Sequence, residues 1–142
     1  MSLAGLPHAY PFLLLDRIIA LDPGRYVVAT KNLTATDPLL QPTGVLPAVF
    51  LVEALTQAAG VAVGAPDGSK PGQPGMLARV DRFRTRGRVS VGDELRIAVR
   101  IVRIFGASAM ARGVVTVDGR RRAAAELVLH LGALAPSGPT PA

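Results

Sequence analysis

The sequence predicts an α+β fold in which a curved antiparallel sheet wraps around one long central helix, and three features predict it. Strand-like runs stand on both sides of a single alanine- and leucine-rich stretch. That stretch is apolar on every side, so a helix formed there must be covered nearly all round. Turn-forming residues separate the runs at hairpin spacing. With 142 residues the chain has enough length for one domain around a single core. We assign that domain to residues 1–132 and expect a disordered tail over 133–142, where small residues and proline leave no periodic apolar face.

The elements follow in order. Residues 12–21 and 25–34 read as strands, joined across Asp22-Pro23-Gly24, where proline and glycine supply turn geometry. Residues 46–63 read as the helix, with Pro47 at a first-turn position and Gly64 and Pro66 as stop signals. The stretch from 64 to 75 carries four glycines and three prolines and reads as a long connector. Beyond it, residues 76–85, 94–105, 107–117 and 120–131 read as four strands of an antiparallel meander, with Asp118-Gly119 marking a tight hairpin.

Composition closes off several kinds of chemistry. The chain has no cysteine, which removes disulfides, thiolate zinc sites and cysteine nucleophiles. Its two histidines, His8 and His130, are too few for a multi-histidine metal site, and no metal or cofactor is expected. His8 reads as a local hydrogen-bonding residue and His130 as a surface or edge residue. The longest apolar run, 45–52, stops at Glu53, well short of the ~20 residues that span a bilayer. No basic segment precedes Leu13-Leu14-Leu15 as a signal peptide requires, so a cytoplasmic protein that does not engage the membrane is expected. The formal charge of +6 attracts anionic partners, acidic proteins and phosphorylated carriers among them. Aromatic residues make up only 4% of the chain and no stacking motif is visible, which argues against nucleic acid.

One polar pair interrupts the apolar helix. Glu53 is its only ionisable residue, and Gln57 follows one turn later on the same face. A carboxyl in apolar surroundings must be paired, hydrogen-bonded or protonated. Held in such a site it can act as a general acid near neutral pH. Equally, it can be satisfied by backbone amides, by an arginine or across a subunit interface, with no catalytic duty.

Several segments, in the right order, resemble the bacterial 3-hydroxyacyl-[acyl carrier protein] dehydratases of the hotdog fold. Leu6-Pro7-His8-Ala9-Tyr10-Pro11-Phe12-Leu13-Leu14-Leu15-Asp16-Arg17 is similar to that family's opening L-P-H-R-Y-P-F-L-L-V-D-R. Lys31-Asn32-Leu33-Thr34 is similar to its K-N-V-T, Glu53-Ala54-Leu55-Thr56-Gln57-Ala58-Ala59-Gly60 to its E-A-x-A-Q-A-x-G, and Val91-Gly92-Asp93-Glu94-Leu95 to its P-G-D-x-L. The resemblance implies a hotdog homodimer that holds an acyl thioester, borne by an acyl carrier protein or coenzyme A, and removes water from a 3-hydroxyacyl chain in fatty-acid or polyketide metabolism. It implies that Glu53 is catalytic and that Gln57 aligns it.

The family pairs this glutamate with a histidine in a G-H-F-P-G-x-P loop, which serves as the general base. Here the corresponding segment reads Leu39-Leu40-Gln41-Pro42-Thr43-Gly44-Val45-Leu46-Pro47-Ala48, about four residues shorter and without a histidine; Thr43 stands nearest its place. Thr43 and Gly44, with the amides of Ala48 and Val49 at the helix N-terminus, are the expected substrate-binding positions, because the helix dipole favours charge developing on a thioester oxygen. Three functions follow: dehydration, thioester hydrolysis with Glu53 as base or nucleophile, or a non-catalytic acyl-binding or partner subunit. For the last, a higher assembly or a heterodimer with a histidine-bearing hotdog chain is the alternative to a homodimer.

Arg82, Arg84, Arg86 and Arg88 alternate with other residues, so in a strand all four point to one face. They read either as a docking strip for an acidic carrier or coenzyme A phosphates, or as a solvated face that discourages edge aggregation. Arg120-Arg121-Arg122 reads as exposed.

Overall fold

Gly24, at φ 81°, turns the chain where Asp22 O accepts the Arg25 N–H at 2.9 Å, and the two flanking runs pair as a hairpin. The structure is a computed structural model that describes residues 12–63 and 75–131. Its elements are β1 (Arg17–Asp22), β2 (Tyr26–Asn32), a single 3-10 turn (Pro38–Leu40), α1 (Val49–Val63), β3 (Gly75–Thr85), β4 (Glu94–Phe105), β5 (Ser108–Val117) and β6 (Arg120–Leu131). Among the described residues the six strands form one antiparallel sheet in the order β1-β2-β4-β5-β6-β3, with α1 packed on one face. Both the α+β class and the hotdog architecture expected from sequence are present. Residues 133–142 and His8 lie outside the described residues, and no described helix is long and apolar enough to cross a membrane.

Alternation fixes which face meets the helix. In β5, Ala109, Ala111, Val115 and Val117 are buried, and in β6 Ala123, Ala125, Leu127 and Leu129 are, each separated by a residue on the outer face. The helix answers with Leu51, Ala54, Leu55, Ala58, Ala59 and Ala62. Its alanines keep it close to the sheet, and Gly113 lets it come closer still. A Cβ added at Gly113 would lie 2.6 Å from Leu55 Cδ2. Each fully buried leucine here contributes roughly 1.5–3 kcal/mol. The last turn of α1 is tied to the hairpin, since Gly24 N–H donates to Ala62 O at 2.7 Å.

Four expectations are corrected. The first strand begins at Arg17 rather than at residue 12, because Phe12 and Leu14 are bonded to the Gln57 side chain instead of to a strand. The helix begins at Val49: Val45 forms an isolated bridge with Ser90, and Leu46 N–H donates to Val89 O at 2.8 Å. The second half is a meander only over β4-β5-β6. β3 crosses to the far edge and pairs with β6, which leaves β4 to join β2 and so unites the two halves into one sheet. Finally, α1 is not covered all round by the described residues: Val49 is 64% exposed, and Val52, Glu53, Thr56 and Gly60 keep partial exposure along the same side.

Candidate active site

Gln57 sits on the buried side of α1 at 1% exposure, and its amide must therefore find its partners inside the protein. It finds three. Its Oε1 accepts the Leu14 N–H at 2.8 Å, and its Nε2 donates to Phe12 O at 2.8 Å and to Glu53 Oε1 at 3.1 Å. Both amide hydrogens and the carbonyl oxygen are thereby used, which fixes the amide's orientation. Gln57 thus does two jobs: it pins the segment ahead of β1 against the helix, and it holds the Glu53 carboxylate one turn earlier.

Glu53 is half-buried and faces a cleft of about 450 Å³ lined by Phe12, Leu14, Val49, Phe50, Val52, Glu53 and Leu77. Every lining residue except Glu53 is apolar. The wall has three sources. Phe12 and Leu14 come from the segment that Gln57 ties down, the middle residues from the first half of α1, and Leu77 from β3. Phe12 remains 57% exposed at the rim. A single oriented carboxylate in an apolar cleft suits a ligand that is mainly hydrocarbon with one reacting polar centre.

The sequence-derived site residues divide here. Glu53, Gln57 and Val49 come together at the cleft: Glu53 and Val49 line it, and Gln57 supports it from behind. Thr43, Gly44 and Ala48 are not among its lining residues. Thr43 is exposed and turned to its own backbone, its Oγ1 accepting the Val45 N–H at 3.2 Å. Gly44 sits at φ 79°, a left-handed conformation that favours glycine, and its carbonyl accepts the Val91 N–H at 2.9 Å. Ala48 is exposed immediately before α1, with Leu51 N–H donating to its carbonyl at 2.9 Å. His130 is exposed on β6 and does not line the cleft.

Sequence reasoning did not find Phe12, Leu14, Phe50, Val52 and Leu77 as cleft walls, since they converge from three distant segments. It also did not find the support beneath the approach to the helix. There Lys31 Nζ lies 3.3 Å from Asp16 Oδ1 and 3.9 Å from Asp37 Oδ2, with its side chain only 11% exposed. Asp16 Oδ2 further accepts the Asn32 N–H at 2.7 Å, and Asp37 Oδ1 the Leu39 N–H at 3.0 Å. The signal was present in Asp16 and Lys31, which stand at facing positions of a hairpin that was read correctly.

The arginine strip is also corrected. β3 carries two irregularities opposite β6, and at the second Arg82 adopts φ 55°, breaking the alternation. Arg82 turns toward Glu126 at 3.8 Å, while Arg86 and Arg88 lie beyond the end of the strand. Arg122 is half-buried rather than exposed, its guanidinium lying over Gly87.

A model of the FabA-like domain matches residues 6–129. The 3-hydroxyacyl-[acyl-carrier-protein] dehydratase FabZ of Oceanobacillus iheyensis is 37% identical over 130 residues, covering 89% of this chain and 92% of that protein. Among solved structures, the dehydratase heterocomplex ApeI:P from Xenorhabdus doucetiae superimposes with a TM-score of 0.81 at 21% identity, covering 92% of this chain and 91% of the other. The smu.793 protein from Streptococcus mutans bound to acetyl CoA does so with a TM-score of 0.69 at 17% identity, covering 89% and 94%.

Proposed function

Because the chain belongs to the FabA-like family, we propose that it binds an acyl thioester in the Glu53 cleft and supplies the acid half of a 3-hydroxyacyl thioester dehydratase site. The observation that carries the proposal is the Glu53 carboxyl group, held by Gln57 in a cleft whose other lining residues are apolar. Dehydration removes a proton from C2 and hydroxide from C3, leaving a C2=C3 double bond. Glu53, in its carboxylic acid form, gives its proton to the departing hydroxyl, which leaves as water while the carboxylate stays behind, and in the reverse direction it orients the attacking water. Gln57 keeps the carboxyl aimed. Phe12, Leu77 and the apolar side chains of α1 hold the acyl chain. The first amide of α1, at Val49 in the cleft lining, offers the helix dipole to the thioester oxygen.

The proposed assembly is a cytoplasmic dimer. Its support is the exposed side of α1, with Val49 and the nearby Phe12 open to solvent, and the position of β3 at the sheet edge.

The C2 proton requires a base, and residues 39–48, where the family carries its histidine, contain none. Threonine at position 43 cannot take that proton at neutral pH without a base of its own. This favours a second reading, in which a histidine-bearing hotdog chain pairs with this one and supplies the base. A heterocomplex among the structural neighbours fits that arrangement. Alone, the chain is expected to bind thioesters and turn them over only slowly.

The test is to incubate the purified protein with 3-hydroxyacyl and saturated acyl thioesters, alone and mixed with a histidine-bearing relative, following enoyl formation and free thiol. Enoyl product that appears in the mixture and disappears with Glu53→Gln supports the proposal. Thiol release that depends on Glu53 would instead make the protein a thioesterase. No thioester binding in any form would overturn the reading.

A further inference from the structure

Helix α1 carries three polar side chains, Glu53, Thr56 and Gln57, and the roles given above use only the first and the last. Thr56 follows Glu53 by three residues. It stands on the side of the helix where Val49 is exposed and Val52, Glu53 and Gly60 are partly so. It is not itself a lining side chain of the cleft: it lies one turn beyond Val52 and Glu53, the last helix residues that line it.

Helix formation gives no reason for a threonine here. A β-branched side chain loses rotamer freedom in a helix, and alanine is the stronger helix former. The motif that this segment resembles, E-A-x-A-Q-A-x-G, has alanine at the position of Thr56. The core does not ask for it either, since α1 packs on the sheet through Leu51, Leu55 and its buried alanines while Thr56 is only half-buried.

What threonine adds is an oxygen with a fixed hydrogen-bonding sense. Thr56 Oγ1 donates to Val52 O at 2.9 Å. A hydroxyl has one hydrogen, so that proton is spent inside the helix and the lone pairs that remain can only accept. Glu53, in the carboxylic acid form that dehydration requires, is a donor. Residues three apart on a helix have Cβ atoms about 5–6 Å apart, close to the span of two successive O–H···O bonds through one shared oxygen. The two residues together therefore suit a group that accepts from Glu53 and donates to Thr56. A hydroxyl does both at once, a carbonyl accepts and cannot donate, and a methylene does neither.

We infer that Thr56 is a specificity-determining residue: its Oγ1 accepts a hydrogen bond from the 3-hydroxyl of the acyl chain beside Glu53, and so favours a 3-hydroxyacyl thioester over its 3-oxo and saturated counterparts. The inference rests on the thioester reading above, and it assigns discrimination of the oxidation level at C3 to one oxygen outside the Glu53 and Gln57 pair. A 3-oxo chain sets its own lone pairs against those of Thr56, and a saturated chain leaves them facing hydrocarbon. Each forgoes the hydrogen bond that the hydroxyl makes.

The test compares the wild type with Thr56→Val, which keeps the shape and removes the oxygen, Thr56→Ala, which favours the helix, and Thr56→Ser, which keeps the oxygen. Each is titrated with three pantetheine thioesters of equal chain length: 3-hydroxyacyl, 3-oxoacyl and saturated acyl. The wild type is expected to bind the 3-hydroxyacyl thioester most tightly. In Thr56→Val and Thr56→Ala that affinity falls by about three- to tenfold, while the saturated thioester changes by less than about twofold and the 3-oxo thioester does not weaken. Thr56→Ser keeps the wild-type preference within about twofold. Thr56→Ala unfolds no more easily than the wild type, which separates lost preference from lost structure.

Equal weakening toward all three thioesters, with or without a change of mass in solution, would make Thr56 a packing contact and overturn the inference. A preference that survives in Thr56→Val and Thr56→Ala, or one that Thr56→Ser fails to keep, would overturn it as well. So would a wild type that binds the three thioesters alike, and in each of these cases the thioester reading stands. Failure of the wild type to bind any of the three would remove the reading and the inference together.

Discussion

Lys31 and Glu53 are both ionisable groups set against the apolar core, one on β2 and the other on α1, and they differ in what surrounds them. Lys31 is clamped between Asp16 and Asp37, and both carboxylates also accept backbone amides, so cation, anions and amides close on one another. Glu53 shares one oxygen with Gln57 and faces a cleft walled by hydrocarbon. The first arrangement has its charges matched within the protein and supports the loop leading to the helix. The second keeps an oriented acid where a ligand can reach it. One ionisable side chain is thus matched by opposite charges within the protein, and the other stands in the lining of an apolar cleft, where the proposed chemistry would use it.

Mutations at the two places should separate these roles, and the largest effect should fall on turnover. Glu53→Gln preserves size and removes the proton donor, so enoyl formation in the mixed assay should fall by about 10²- to 10⁴-fold while Tm shifts by less than about 2 °C. A large fall in Tm would place Glu53 in the structural class with Lys31. Lys31→Met should do the opposite. It leaves Asp37, whose side chain is only 6% exposed, facing Asp16 without a cation, at a cost on the order of 3 kcal/mol by denaturant unfolding. Thioester affinity measured well below the transition should change little.

Gln57 links the two classes and should show both effects at reduced size. Gln57→Leu strands the Leu14 N–H and the Phe12 carbonyl, which costs about 2 kcal/mol, and it releases Glu53, so turnover should fall along with stability. Loss of stability with full turnover would show that Glu53 needs no alignment. The smallest effect is expected at Thr43. Thr43→Ala removes only a local bond to Val45, and both stability, within about 0.5 kcal/mol, and pantetheine thioester affinity should stay put. A marked loss of affinity would move the binding site toward the loop.

How much of this was legible in the sequence depended on whether the signal was local. Turn chemistry at Asp22-Pro23-Gly24 and Asp118-Gly119 marked two of the three hairpins, and the alanine-rich stretch marked the helix to within three residues at its start. The four-residue spacing of Glu53 and Gln57 became a real hydrogen bond. Pairing across long loops left no such mark. β3 could not be placed beside β6 rather than β4, because turn residues show where a strand ends and not where its neighbour lies. The cleft stayed hidden for the same reason, since Phe12 and Leu77 reach it only after the chain has folded over α1. At Arg82 a left-handed residue interrupts an alternation that looked unbroken as letters, since irregularities in an edge strand carry no fixed sequence signature.

Occupancy of the cleft tests the central claim most directly. A structure of the protein with a saturated acyl pantetheine thioester should place the acyl chain between Phe12 and Leu77 with the thioester end beside the Glu53 carboxylate. A ligand seated elsewhere, with Glu53 still turned to Gln57 and the cleft empty, would contradict it.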